Sequence, residues 1–243
     1  MHQFQIKIAN HIIEVNTIYI RSFAISRDFI TDGTPEFRIE IEQRDIDAVR
    51  KQYEDQQGEC CLGDTSLESL ALQIKLSEKL IDQGVFLIHG AAIAFRDSTI
   101  IFSGRSGVGK TTHILKWIKH LPDTIVINGD KPYIDIKQAP IVFGSPWAGK
   151  ENIYTNTAVS LKHIVFMQRS DNNLFERISF AKAFPFLLEQ VYCPQDGNRM
   201  KKTLNLIQRL NTDVSFWIFH CNNFKEDCFD VSFNTLVEGY HIP

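Results

Sequence analysis

Residues 104–112 read Gly-Arg-Ser-Gly-Val-Gly-Lys-Thr-Thr, which fits the pattern G-x-x-x-x-G-K-[ST]. The apolar run Ser98–Ser103 before this stretch predicts a buried strand, and Thr111–His120 after it carries apolar residues at helical spacing. A strand, a glycine loop and a helix are the context that this motif requires. The loop curls so that its N–H groups face phosphate oxygens at the positive end of the helix. We therefore expect this stretch to bind a nucleoside triphosphate.

The motif assigns roles within the loop. Lys110 is expected to reach the β- and γ-phosphates, and the Thr111 hydroxyl is expected to hold Mg²⁺, so ATP and Mg²⁺ are the predicted cofactors. Arg105 occupies a variable position of the pattern and is not assigned a role. The residues predicted to contact the nucleotide are Gly104, Ser106, Gly107, Val108, Gly109, Lys110, Thr111 and Thr112.

Composition narrows the class of protein. The 243 residues are 44% hydrophobic and 23% charged, which is ordinary for a globular chain that buries a core. The net charge of -3 gives no electrostatic reason to expect a nucleic acid or a membrane surface as partner. The N-terminus lacks a signal-peptide pattern, and five cysteines without a C-x-x-C pair indicate a reducing compartment. We expect a cytoplasmic protein.

The first part of the chain has a pattern of its own. Apolar and polar residues alternate in Phe4–Ile8, Ile12–Val15 and Phe37–Ile41, the period of half-exposed strands, and Asp32–Pro35 is a turn cluster. We predict a small antiparallel β-rich subdomain over residues 1–60. The second predicted domain covers residues 61–243.

The second domain is predicted to be α/β. Thr65-Ser-Leu-Glu68 is a capping-box pattern before a helical run that Gly84 ends. Strands are predicted over 85–89, 91–95, 98–103, 124–128, 133–136, 141–144, 163–167 and 214–219, with helices over 181–191, 200–210 and 226–240. Because the strands around the loop follow one another closely, we expect hairpins rather than long parallel crossovers.

Two residues outside the loop are candidates for the same site. Asp130 closes the strand that follows the loop helix, where an acidic residue commonly holds Mg²⁺, although a turn aspartate would have the same local sequence. His89 closes a strand just before Gly-Ala-Ala; alone, a histidine in an apolar stretch is more often a core residue. Taken with the loop, both are predicted site residues.

At these residues the chain resembles the catalytic domain of HPr kinase/phosphorylase, whose core is similar to that of phosphoenolpyruvate carboxykinase. The resemblance covers roughly residues 65–240, and the N-terminal segment looks like the leader of small members associated with peptide modification. The matching stretches are Leu87-Ile-His-Gly-Ala-Ala92, the loop at 104–112, Val126-Ile-Asn-Gly-Asp-Lys131 and Gly144-Ser-Pro-Trp-Ala-Gly-Lys-Glu151.

The resemblance implies a P-loop core with a mixed sheet and flanking helices, and transfer of phosphate from ATP to a serine hydroxyl of a peptide or small protein. The family usually has two consecutive aspartates at the metal and base positions. Here Gly129 takes the first, so the base falls to Asp130, His89 or Glu151, with Lys150 neutralising phosphate charge. The glycines around Pro146 and Trp147 predict a rigid turn with an exposed aromatic side chain; the alternative is a plain structural turn with Trp147 packed inside and Lys150 solvated.

Two other functions remain open at this point. A small-molecule kinase acting on an amino acid or metabolite would use the same loop in an enclosed pocket. A nucleotide-binding sensor would bind ATP without transferring phosphate, with Gly129 as the sign of a degraded site. The resemblance also makes a homo-oligomer an expectation.

Overall fold

The computed structural model describes residues 1–222, 225 and 227–239 and divides the chain into two compact units, Met1–Gln83 and Gly84–Pro243. The described residues form a mixed α/β structure with three sheets and seven α-helices. Among these helices, none is both long enough and apolar enough to cross a membrane. The division between the units falls after residue 83, whereas the sequence-based division was placed near residue 60.

The first unit contains a three-stranded sheet and three helices. In chain order its elements are β1 (His2–Ile8), β2 (His11–Thr17), α1 (Ile20–Ile25), a short 3-10 turn (Arg27–Phe29), β3 (Phe37–Glu40), α2 (Gln43–Gln57) and α3 (Asp64–Asp82). The alternation in β1 buries Phe4, Ile6 and Ile8, which confirms the period-2 interpretation.

The pairing of this sheet departs from the antiparallel expectation. Strands β1 and β2 are antiparallel, but β2 and β3 are parallel. A parallel pair requires a long crossover between its strands, and the chain over 18–36, with α1 and the 3-10 turn, supplies one. The turn cluster Asp32–Pro35 therefore belongs to this crossover rather than to a hairpin.

The start of α3 also differs from the prediction. The helix begins at Asp64 with Gly63 as its N-cap, so Thr65 and Glu68 do not form a capping box. The Glu68 side chain is fully buried and instead accepts hydrogen bonds from the backbone N–H groups of Ile18 and Tyr19, at 2.5 and 3.0 Å. Because a buried carboxylate must be hydrogen-bonded, Glu68 binds these N–H groups and does not cap the start of α3.

The second unit holds ten strands and four helices within its described residues. They are β4 (Val85–Leu87), β5 (Gly90–Phe95), β6 (Ser98–Ser103), α4 (Lys110–His120), β7 (Ile125–Asn128), β8 (Tyr133–Asp135), β9 (Ile141–Phe143), β10 (Ala158–Ser160), β11 (His163–Arg169), β12 (Leu174–Ile178), α5 (Phe180–Gln190), α6 (Gly197–Arg209), β13 (Ser215–Cys221) and α7 (Cys228–Leu236). Every strand and helix predicted for this unit is present, whereas β10 and β12 were not predicted. Glu226 and Tyr240, the predicted ends of the last helix, lie outside the described residues.

The six-stranded sheet of this unit positions the glycine loop. Its order is β12-β13-β11-β6-β5-β7, and β6 lies between β11, which is parallel to it, and β5, which forms the expected antiparallel hairpin with it. Because β5 is antiparallel to both β6 and β7, the start of β5 lies beside the ends of those two strands, with Gly90 opposite Ser103 and Ala92 opposite Asn128. One edge of the sheet therefore carries the residues that precede β5 and follow β6 and β7.

The loop helix α4 is anchored by the core. Its Ile114 and Trp117 are fully buried among residues of β5, β6, β13 and α7, and the Trp117 ring packs edge-on against Phe229 at 5.5 Å. The four-stranded antiparallel sheet, in the order β10-β9-β8-β4, completes the unit.

Candidate functional site

The glycine loop has the backbone that its sequence predicts. Strand β6 ends at Ser103, the chain turns through 104–109, and α4 begins at Lys110 with Gly109 as its N-cap. Gly104 has a φ of +144°, and a side-chain carbon there would lie 2.9 Å from the carbonyl oxygen of Met167. Only glycine fits that combination of left-handed backbone and close packing. The strand, loop and helix that a phosphate cradle needs are all present.

Lys110 is buried and lies across its own loop. Its Nζ donates hydrogen bonds to the carbonyl oxygens of Gly104, at 2.9 Å, and Arg105, at 3.4 Å. Burial lowers the pKa of Lys110, the negative charge of Asp130 opposes that shift, and the positive charge of Lys131 adds to it. The Lys110 ammonium group thus lies against the loop, close enough for the negative charge of Asp130 to act on it.

Asp130 and His89 face each other at the sheet edge beside the loop. His89 Nε2 lies 3.2 Å from Asp130 Oδ1, and the Asp130 carbonyl accepts a hydrogen bond of 2.8 Å from Gly90 N–H. The other ring nitrogen of His89 is 3.0 Å from the side-chain oxygen of Gln190. Because both facing atoms are oxygens, a ring nitrogen of His89 that carries a hydrogen donates to the oxygen opposite it. The structure therefore brings together the predicted residues His89, Lys110 and Asp130.

The charge of Asp130 is set by opposing effects. Burial alone raises the pKa of a carboxyl group, but the hydrogen bond from His89 and the positive charges of Lys131, His89 and Lys110 outweigh it, so the pKa of Asp130 lies below its ordinary value. Lys131 Nζ is 4.0 Å from Asp130 Oδ2, and burial lowers the pKa of Lys131 against the opposing charge of Asp130. Asp130 is consequently ionised at neutral pH, as a metal ligand must be.

Asn128, which sequence reasoning did not select, fixes the turn that carries Asp130. The side chain is fully buried, and its Oδ1 accepts from the N–H groups of Asp130 and Lys131 at 2.8 and 2.6 Å. Its Nδ2 donates to the carbonyl oxygen of Ser145 at 2.9 Å, and Ser145 Oγ donates to the Lys131 carbonyl at 2.6 Å. The sequence feature that could have identified Asn128 is a polar residue that ends a β-branched strand directly before a Gly-Asp turn.

The glycine at the first aspartate position has a steric explanation. A side-chain carbon on Gly129 would lie 2.8 Å from the carbonyl oxygen of Ala148 and 3.2 Å from that of Ile153. Both are backbone atoms, which side-chain rotation cannot move away. The segment after β9 therefore packs against the turn where a second carboxylate would stand.

The segment 144–152 is buried in its first part and exposed in its second. Trp147 is only 8% exposed, so the expectation of an exposed aromatic side chain is wrong and the buried alternative is correct. Lys150 and Glu151 are exposed. The Cγ atom of Asp130 and Oε2 of Glu151 lie 3.6 and 3.9 Å from the point that a side-chain carbon on Gly149 would occupy, so the two carboxylates share one neighbourhood.

In the part of the chain that the structure describes, the loop borders the following two cavities. One, of 460 Å³, is lined by loop residues 104–108 and by Phe186, Glu189 and Gln190 of α5. The other, of 630 Å³, is lined by Gly109, Thr112 and the residues that follow β11 and β13. Arg169 borders both cavities and donates to the carbonyl oxygen of Gly107 at 2.6 Å. Sequence reasoning missed this arginine because the parallel pairing of β11 with β6 brings it to the loop from a distant segment.

The donor set fits a magnesium ion and a phosphate chain. The Thr111 hydroxyl, at the partly exposed start of α4, and the Asp130 carboxylate offer hard oxygen atoms, which Mg²⁺ prefers. Lys110 and the N-terminal turn of α4 offer positive charge and N–H groups, which suit phosphate. The positive charges of Lys110 and Lys131 also favour binding of an anion beside the Asp130 carboxylate.

One solved structure similar to this chain is the Hpr(Ser) kinase/phosphatase from Coxiella burnetii. The similarity has a TM-score of 0.40 at 10% sequence identity and covers 63% of this chain and 88% of that one. No protein-family model matches the sequence. No curated protein matches it either.

Proposed function

We propose that this protein is a Mg-ATP-dependent kinase with a P-loop core of the HPr kinase and phosphoenolpyruvate carboxykinase type, which transfers the γ-phosphoryl group to a serine or threonine hydroxyl of a peptide or small protein. The observation that carries the proposal is the meeting of Lys110, Asp130 and His89 beside the glycine loop, although they come from three separate segments. The motif resemblance supports the choice of a hydroxyl acceptor.

The nucleotide is proposed to lie along the loop toward the 630 Å³ cavity, because Gly109 and Thr112 line that cavity at the start of α4. The N–H groups of 104–112 bind the phosphates and Lys110 exchanges its bonds to Gly104 and Arg105 for phosphate oxygens. Thr111 and Asp130 would hold Mg²⁺, which supplies charge neutralisation at the transferring phosphate when bound. Arg169 is placed to add positive charge at the same phosphates.

The acceptor is proposed to enter from the side of the 460 Å³ cavity and to place its hydroxyl near Asp130. A general base must lie within hydrogen-bond reach of the hydroxyl proton. Asp130 is ionised and partly exposed, and its partner His89 holds it in place. Asp130 thus takes the role of base, while Glu151 and Lys150, exposed nearby, would contact the acceptor or the metal.

The experiment that tests this function is transfer of label from γ-labelled ATP with Mg²⁺. Acceptors are serine-containing peptides, including those encoded near this protein's gene, and free serine as a metabolite acceptor. Asp130→Asn and Lys110→Ala serve as inactive variants, and Lys119→Ala, at an exposed position of the same helix, as the matched control. Label on a peptide serine with the wild type and Lys119→Ala only is the expected result.

The other outcomes identify the alternatives. Label on free serine but on no peptide would replace the peptide kinase with a small-molecule kinase. Binding of ATP without any transfer or hydrolysis would replace it with a nucleotide-binding sensor. Transfer at the wild-type rate by Lys110→Ala would refute a catalytic role for the loop.

A further inference from the structure

Three side chains of metal-ligand type meet in the core behind the glycine loop. They are His113 of α4, Cys221 at the end of β13 and Cys228 at the start of α7, and all three are buried. One ligand atom of each lies within 4.8 Å of those of the other two. The cluster stands outside the proposed catalytic residues, yet it is built on the same helix as Lys110.

The spacing of these atoms suits a tetrahedral cation. Cys228 Sγ is 3.4 Å from Cys221 Sγ and 3.4 Å from His113 Nδ1. Around a zinc ion with bonds of about 2.3 Å to sulfur and about 2.0 Å to nitrogen, neighbouring ligand atoms are separated by roughly 3.5–3.8 Å. The two separations from Cys228 Sγ are within a few tenths of an ångström of that geometry, and the third lies within 4.8 Å.

The far side of the imidazole has an indole and a hydroxyl group as neighbours. Trp117 Nε1–H, which can only donate, lies 3.2 Å from His113 Nε2, so without a metal Nε2 accepts and Nδ1–H points at Cys228 Sγ. Ser232 Oγ also lies 3.2 Å from Nε2 and itself donates a hydrogen bond of 2.8 Å to the carbonyl oxygen of Phe229, so it can accept from Nε2–H. Ligation of a metal through Nδ1 therefore moves the imidazole proton to Nε2, where Ser232 Oγ accepts it and the indole N–H loses its acceptor.

Aromatic rings pack against the imidazole of the cluster, and one of its cysteines borders a cavity. The rings of Phe102 and Phe219 pack against His113 at 4.7 and 5.2 Å. Cys221, although only 4% exposed, borders the 630 Å³ cavity beside the glycine loop. A cation can enter through this cavity, and the fourth coordination position can face it.

We propose that His113 Nδ1, Cys221 Sγ and Cys228 Sγ bind a thiophilic metal ion, with Zn²⁺ as the occupant. Two thiolates, one imidazole and an open position form a known zinc ligand set, whereas Mg²⁺ is excluded by the soft donors. Binding releases the two thiol protons. The ion ties α4, which carries Lys110, to β13 and α7.

The test is metal analysis of the reduced full-length protein purified without chelators from zinc-supplemented cells. We expect about one zinc per chain, falling at least tenfold in Cys221→Ser and in Cys228→Ser. His120→Gln on the same helix and the exposed Cys193→Ser serve as matched controls that keep their zinc. Retention of full zinc by both cluster variants would overturn the proposal.

A second measurement removes the dependence on variants that fold poorly. Reduced, metal-stripped wild-type protein is titrated with Co²⁺, and thiolate-to-cobalt charge-transfer bands with tetrahedral ligand-field bands at one equivalent are expected, displaced by Zn²⁺. Displacement of Co²⁺ only by Cu⁺ would reassign the occupant and overturn zinc. Absence of the bands, or a Cys221–Cys228 disulfide in protein purified under anaerobic conditions, would refute the site.

Discussion

Asn128→Ala tests how the catalytic turn is held. The substitution removes the acceptor for the N–H groups of Asp130 and Lys131 and the donor to the Ser145 carbonyl. Each of the two backbone N–H groups that lose their acceptor costs about 1–1.5 kcal/mol, at the low end of the usual range because the turn is partly exposed. The lost hydrogen bond from Asn128 to the Ser145 carbonyl costs about 1 kcal/mol more. We expect a total loss of about 3–4 kcal/mol in the free energy of unfolding.

Urea unfolding followed by tryptophan fluorescence measures this loss. Trp117, Trp147 and Trp217 all lie in the second unit, so the signal reports on the unit that contains Asn128. With a slope of about 2 kcal/mol per M, the midpoint should fall by about 1.5–2 M. Asn205→Ala, at an exposed position of α6, is the matched control and should change stability by less than about 0.5 kcal/mol.

Equal shifts of the urea midpoint by Asn128→Ala and Asn205→Ala would contradict this account, because the buried amide of Asn128 would then not hold the turn. Ser145→Ala provides an independent check, because it removes the hydroxyl that bridges Asn128 to the Lys131 carbonyl and should lower stability by about 1–2 kcal/mol.

Gly129→Ala should destabilise the second unit by about 1–3 kcal/mol because the added carbon meets the Ala148 carbonyl; Gly197→Ala, in open space, is the control, and equal midpoints for the two would contradict the steric account. Because the folded-state pKa of Asp130 is lowered, its stabilising contribution is present above the ordinary carboxyl pKa and is lost as pH falls through the folded value. The stability difference between wild type and Asp130→Asn, from urea midpoints between pH 6 and 3, should therefore shrink below about pH 4, and a difference that grows on acidification would be inconsistent. Arg169→Ala should raise the Kd for Mg-ATP about tenfold and change the free energy of unfolding by less than about 1 kcal/mol, since the side chain is exposed; an unchanged Kd would remove Arg169 from the phosphate site.

Local sequence patterns predicted the second unit well. The apolar run Ser98–Ser103, the glycine loop and the amphipathic α4 form the strand, loop and helix expected of them, because buried strands and glycine turns are encoded by adjacent residues. By contrast, α2 buries only Ile46 and Val49, so its apolar stripe is too sparse to identify. Strand β12, in which three of five residues are exposed, gave an equally weak pattern.

The candidate site was predictable only where one segment carries it. Lys110 and Asp130 follow from a motif and from a strand end, but the contacts of Asn128 with Ser145, and of Arg169 with Gly107, depend on sheet pairing between distant segments. The burial of Trp147 and the crowding at Gly129 likewise depend on how 144–153 folds back onto the turn. The cluster of His113, Cys221 and Cys228 joins residues more than a hundred positions apart, and cysteine spacing alone gave no sign of it.

The most direct test of the central claim is calorimetric binding of ATP, with and without Mg²⁺, to the wild type, Lys110→Ala and Lys119→Ala. A charge-assisted bond from a buried lysine to phosphate contributes about 1.5–3 kcal/mol, so we expect a ten- to hundredfold higher Kd for Lys110→Ala. Lys119→Ala should bind as the wild type does. Equal affinity of all three proteins, or no binding of Mg-ATP by the wild type, would contradict a nucleotide site at residues 104–112.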